Sequence, residues 1–262
     1  MKTAVFVVGA LREIDICAKT WNIPYDAEYH LLTWSRTNDR FYEHLPRDTD
    51  LSVLSRLPVA FDSVHVFDED SHYRVKNTEQ HRLNEICRGP WFWRKAFSMY
   101  PDYDRVVIIR PDLFLWPRRI NPWPVEQRNQ VMALSQTQDQ LFVLNRQGFE
   151  LLSTVYDFIL DSAESTSEAS DLPTWLELFK SRVNVQFDST LAESFQFFLA
   201  RPNSRHLASA RLDKQIAQRM LNNTIQWWVG HTGQKYGDPE QEIHDEPTNT
   251  AYQLPLENPC RS

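Results

Sequence analysis

A cation, a ring-locked residue and a carboxylate follow one another at Arg110-Pro111-Asp112, directly after the apolar run Val106-Val107-Ile108-Ile109. Proline restricts its own backbone, so the turn is stiff and the two charges sit at a defined spacing. A guanidinium there can bind phosphate, a carboxylate there can hold a hard cation, and the two can equally pair with each other at a solvated strand end. Gly9 closes a second apolar run and is followed by Arg12, and Asp68-Glu69-Asp70 closes a third. Asp139 precedes a further run at residues 141–144, and Glu193 lies in a segment of helical character.

A separate cluster is Gly230-His231-Thr232-Gly233-Gln234-Lys235-Tyr236-Gly237, which holds three of the six glycines in the chain. Glycine at that density implies tight backbone. His231 is a possible metal ligand and Lys235 a phosphate-seeking cation, although a plain surface turn accounts for the same residues. Neither G-x-G-x-x-G nor G-x-x-x-x-G-K-[ST] occurs, so donated backbone amides of that kind are not offered to a phosphate. A G-x-S-x-G elbow and an H-E-x-x-H pair are also missing from the sequence, which disfavours a hydrolase of those types.

The elements that must position these residues read as alternating strands and helices. A continuous apolar run of strand length at 3–8 suggests a strand covered on both faces, 103–109 ends in four apolar residues as the strongest strand signal of the chain, and 131–134 and 141–144 read as two more strands. Residues 28–34 and 63–67 add two more strands. Helices are expected at 79–100 with an interruption at Gly89-Pro90, at 149–160, at 174–182, at 189–200 and at 213–221, and a last strand at 225–229. The proline- and tryptophan-rich stretch 116–124 reads as a surface loop, and 162–170 as a polar linker. Trp91, Trp93, Trp116 and Trp123 then fall in loops or helix edges near Asp112, where flat rings suit sugar faces as well as core. The fold class expected is α/β with a mainly parallel central sheet. Ligands of such sheets collect beyond the carboxyl ends of the strands.

Composition narrows the function. The 262 residues are 42% hydrophobic and 24% charged, enough for one sizeable core. Of the net charge of −7, most falls in residues 238–262, which carry six carboxylates against one arginine. We therefore expect one domain over residues 1–237 and an acidic, proline-containing tail over 238–262 that packs poorly. The body is nearly neutral, and neither the whole-chain pI of about 5.6 nor any Lys/Arg cluster offers a basic stripe for nucleic acid. No apolar run reaches the length of a membrane span and no signal peptide opens the chain, so a cytoplasmic setting is expected. Three cysteines at wide spacing, Cys17, Cys87 and Cys260, suggest neither a disulfide framework nor a metal site.

The segment Tyr103-Asp104-Arg105-Val106-Val107-Ile108-Ile109-Arg110-Pro111-Asp112-Leu113 resembles the "YD-apolar-apolar-R-x-D-L" segment of glycosyltransferases of the WavE and capsular-polysaccharide-synthesis type. Val7-Val8-Gly9-Ala10-Leu11-Arg12 with the later Leu32-Thr33-Trp34 is similar to that group's "G-x-x-R" and "T-W", and Asp139-Gln140-Leu141 and Glu193 resemble its later segments in the same order. The resemblance spans roughly residues 3 to 200 and implies a GT-A-like fold that moves a sugar from a nucleotide-sugar donor to a saccharide acceptor. It places Gly9, Arg12, Arg110 and Lys235 near the donor. It places Asp112, with His231, near a divalent cation, Mn or Mg, on the diphosphate. Asp112, Asp139 and Glu193 become the catalytic candidates, one of the last two serving as general base if the reaction inverts. Arg110 stands where the better-known Asp-x-Asp motif has its first carboxylate. That leaves it two roles, neutralising the diphosphate itself or pairing with Asp112. A carbohydrate- or nucleotide-sugar-binding protein without turnover is the alternative.

Overall fold

The computed structural model describes residues 1–12, 14–37, 47–68, 83, 86–118, 122–125, 129–135, 139–163, 171–200, 211–212 and 222. In chain order come β1 (Thr3–Val8), α1 (Ile14–Trp21), β2 (Glu28–Trp34), the short pair β3 (Arg36–Thr37) and β4 (Arg47–Asp48), and a 3-10 turn at Leu51–Arg56. Next are β5 (Ser63–Phe67), α2 (Arg88–Met99), β6 (Arg105–Ile109), β7 (Leu113–Pro117), β8 (Val131–Ala133) and β9 (Leu141–Asn145). The helices α3 (Arg146–Ser153), α4 (Val155–Ser162), α5 (Leu172–Val183) and α6 (Leu191–Ser194) follow, then β10 (Phe195–Ala200) and β11 (Arg211–Leu212).

The central sheet has six strands in the order β5-β2-β1-β6-β9-β8. β5, β2, β1 and β6 run parallel, while β9 is antiparallel to both β6 and β8. The protein is thus α/β, with a mostly parallel mixed sheet. All residues of β1 and β6 are buried, because side chains alternate between two covered faces. Ala4, Phe6 and Val8 point into one layer with α2 to α5, and Val5 and Val7 into the other with α1 and β7. Cys17 and Cys87 are buried thiols, one in each layer.

Several local expectations are corrected. Gly89-Pro90 lies in the first turn of α2, which starts at Arg88 after a break at Cys87, and there a missing N–H costs nothing. Residues 149–160 are two helices, since α3 ends and α4 begins around Thr154. Residues 122–124 of the surface loop expected over 116–124 are neither helix nor strand, but Trp116 and Pro117 are the buried last two residues of β7. Its proline ends the strand, and its edges are satisfied: Thr20 Oγ1 accepts from the Leu115 N–H at 3.0 Å, and β10 pairs with it antiparallel. Residues 189–200 are only briefly helical, because Phe195, Phe197 and Leu199 complete a three-stranded sheet of order β11-β10-β7. A free strand edge and an aromatic-rich run outweigh helical periodicity there. The linker expected at 162–170 begins inside α4, which runs to Ser162; residues 164–170, the helix expected at 213–221, the strand at 225–229, the glycine cluster with His231 and Lys235, and the tail 238–262 lie outside the described residues.

Candidate functional site

The strand order reverses between β1 and β6: the chain leaves β1 toward β2 and β5, and returns to β1's other side with β6. Loops leaving adjacent parallel strands in opposite directions open a crevice at their carboxyl ends. Gly9 and Arg12 follow β1 there, and Arg110 to Asp112 follow β6. Because β9 is antiparallel to β6, its start at Leu141 lies opposite Ile109. The Arg110 N–H donates to the Gln140 carbonyl at 3.0 Å, which brings Asp139 to the same edge. Gly9 has φ +123°, and a Cβ on it would lie 3.5 Å from Pro111 Cδ, so the two strand ends close against each other.

Four of the predicted residues thereby meet. Arg110 donates from Nε to Asp112 Oδ1 and from Nη2 to Oδ2, both at 3.0 Å. Its Nη1 lies 3.5 Å from Asp139 Oδ1, and Arg12 Nη1 lies 3.9 Å from Asp112 Oδ2. Asp112 is only 2% exposed, a depth at which an ionised carboxylate needs a charged partner, and the planar fork supplies one in the best geometry available. Burial works against the charge on Arg110, but the carboxylates of Asp112 and Asp139 outweigh it and hold the guanidinium above the ordinary arginine range. Asp139 in turn faces the first turn of α2, where Gly89 leaves space: a Cβ there would stand 3.5 Å from Asp139 Oδ2.

Glu193 stands apart from this cluster. It is exposed on the short helix α6 and makes no ion pair with the cluster among the described residues. His231 and Lys235 lie outside the described residues. The four tryptophans proposed as sugar platforms are core residues, with Trp91 4%, Trp93 0%, Trp116 5% and Trp123 4% exposed. A divalent cation fits the described side chains poorly. Both oxygens of Asp112 already accept from a guanidinium, and no group of three His, Cys, Asp or Glu side chains suited to a metal occurs among the described residues. Two unit charges 4 Å apart interact by about 4 kcal/mol at an effective dielectric near 20, and a divalent ion doubles the repulsion from each arginine.

Sequence reasoning missed a polar network at the opposite edge of the sheet, where single histidines read as unremarkable. His30 Nδ1 meets Ser63 Oγ at 2.8 Å and its Nε2 meets the Tyr103 hydroxyl at 2.8 Å. Tyr103 also donates to Glu28, and Tyr100 joins Ser63 to His65 Nε2 at 2.9 and 2.8 Å. The His30 ring stacks on Phe6 at 5.1 Å and on Tyr100 at 4.2 Å, in a cluster where those two rings also meet at 5.7 Å. With both ring nitrogens engaged and the ring enclosed, His30 acts as a core residue, and burial lowers its pKa more than Glu28 and Asp62 raise it. The signal was the shared phase of the strands, since His30 is opposite Ser63 and Leu32 opposite His65 in the β2–β5 register.

No helix among the described residues is long and apolar enough to cross a membrane. No protein-family model matches the chain, and no curated protein matches it in sequence.

Proposed function

We propose that the chain is a glycosyltransferase of GT-A type, moving a sugar from a nucleotide-sugar donor to a saccharide or other hydroxyl acceptor in surface-polysaccharide or glycan synthesis. One observation carries the reading: Arg12, Arg110, Asp112 and Asp139, drawn from three separate segments, converge at the carboxyl edge where the strand order reverses. That is where an α/β sheet takes a nucleotide, and guanidinium groups suit its diphosphate. The charge that builds on a leaving diphosphate is what fixed cations at this place stabilise. Gly9 lets the β1 loop turn without a side chain in the crevice, and Asp139 is the nearer of the two candidate bases.

The test is incubation of the protein with a panel of nucleotide-sugars and simple saccharide acceptors, with and without Mn²⁺, following release of nucleoside diphosphate. Release with one donor is the expected result, and that donor at a hundredfold its Kd should stabilise the fold by about 2.7 kcal/mol. No release and no melting shift with any donor would sink the reading. A binding protein without turnover is the second reading, favoured by the commitment of Asp112 and one oxygen of Asp139 to Arg110. It expects the melting shift without product.

A further inference from the structure

We propose that this site takes a diphosphate directly on the guanidinium groups of Arg12 and Arg110, without a bridging metal ion, and that the incoming phosphate oxygens displace the Asp139 carboxylate from Arg110. The inference rests on the donor-site reading above and specifies how the donor's anionic part is held.

The argument is one of depth and commitment. Asp112 lies beneath the two arginines, its side chain 2% exposed against 15% for Arg12 and 21% for Arg110. A ligand entering from solvent therefore meets cations before it meets that carboxylate. Asp112 anchors Arg110 from below with both its oxygens at 3.0 Å, and dislodging it would leave a carboxylate unpaired at that depth. Of the five N–H bonds of a guanidinium, Asp112 takes one from Nε and one from Nη2. The Nη1 contact to Asp139 is the loose one, at 3.5 Å, and Asp139 is 23% exposed. Replacing it leaves Arg110 fixed in place with donors on both terminal nitrogens, the arrangement that spans two phosphate oxygens. Arg12 supplies the second cation from the neighbouring strand end, across the crevice that Gly9 and Pro111 close.

Asp139 is then a competitor of the ligand, which gives the proposal an unusual sign. A metal ligand, once neutralised, weakens binding of the anion, whereas a competing carboxylate, once neutralised, lets the anion bind more tightly.

The experiment is calorimetric titration of the full chain with inorganic pyrophosphate in EDTA and in Mn²⁺. Binding in EDTA, undiminished relative to Mn²⁺, is expected. Arg110→Gln should weaken it by about ten- to a hundredfold, the loss of a charge-assisted hydrogen-bonding group. Arg12→Gln, at a loop position less costly to the fold, should weaken it in the same direction. Asp139→Asn should tighten it by about two- to fivefold, as removal of one partly exposed opposing charge implies. Melting curves of each variant separate lost folding from lost binding, and the wild-type comparison in EDTA and Mn²⁺ needs no variant. Binding that appears only with Mn²⁺ and is weakened by Asp139→Asn overturns the proposal. The donor-site reading would survive that result, because it is judged by nucleoside diphosphate release. An absence of pyrophosphate binding in both buffers overturns the proposal as well, and continued turnover of a nucleotide-sugar would again show that the donor reading stands without it.

Discussion

Arg110 and Asp112 grip each other across the single residue Pro111, with both contacts of the fork at 3.0 Å. The proline stiffens the turn that separates them, so the pair is held by backbone as well as by charge. Gly9, from the neighbouring strand, packs toward that same proline. The consequence is a charged cluster in one fixed arrangement, built into the end of the best-buried part of the sheet.

Asp112→Ala is expected to destabilise the fold by about 3 kcal/mol, the low end for breaking a buried pair, because Asp139 remains beside Arg110 and part of that side chain reaches water. Substituting Arg110→Gln in the same background should cost much less than it does alone. A double-mutant cycle in urea should return a coupling of about 1–3 kcal/mol. Additive losses would mean that the two side chains do not support each other.

Gly9→Ala separates space from backbone conformation. The added Cβ would meet Pro111 Cδ at 3.5 Å, an ordinary contact, but φ +123° is a region that residues with a side chain rarely enter. The expected cost is about 1–3 kcal/mol, all of it from the backbone. Urea midpoints check it, and an unchanged midpoint would show that the β1 loop relaxes freely.

Much of the sheet was legible: β1 and β6, covered on both faces, write apolar runs, and β2 and β5 show as short stretches of β-branched and aromatic residues. β1, β2 and β5 run from Thr3 to Val8, from Glu28 to Trp34 and from Ser63 to Phe67, as expected, and β6 loses only its first two residues. The Arg110–Asp112 pair was legible as one of two outcomes of residues two apart. Its link to Asp139 was not, since it depends on the antiparallel register that sets Ile109 opposite Leu141. β7 and β10 were misread for the same reason: each is a strand only because the other, and Thr20 of α1, supply its hydrogen bonds. The tryptophans misled because ring chemistry suits sugar and core alike, and local sequence does not say which side faces solvent.

Gly148→Ala sets two effects against each other. Alanine favours a helix over glycine by about 1 kcal/mol, yet a Cβ on Gly148 would stand 1.9 Å from the Gln130 carbonyl oxygen, against a normal separation of about 3.5 Å or more. That carbonyl also accepts the Asn145 N–H at 3.2 Å, so it does not move without breaking a bond at the cap of α3. The clash wins, and a net loss of about 2 kcal/mol or more is expected. A urea midpoint at or above that of the wild type would show that α3 shifts as a unit at little cost.

His30 should make stability depend on pH. Burial lowers its folded pKa below the ordinary 6.5, with His65 and Lys2 adding to the shift and Glu28 and Asp62 opposing it. Below 6.5 the unfolded chain then takes up a proton that the folded chain refuses, so the stabilisation is complete above that value and declines as pH falls toward the folded pKa. The structural reason is visible: a proton on His30 would place a charge in a buried cluster beside the Phe6 and Tyr100 rings and change which of Ser63 and Tyr103 donates. Glu28 titrates in a lower window, its pKa held down first by the Tyr103 hydroxyl, and so does not mask the effect. Urea midpoints of the wild type and of His30→Gln, taken from about pH 8 to about pH 5, should show a wild-type decline that is shallower in the variant. The rest of the chain is the same in both proteins, so parallel curves would mean that His30 is protonated as readily in the folded protein as in the unfolded one.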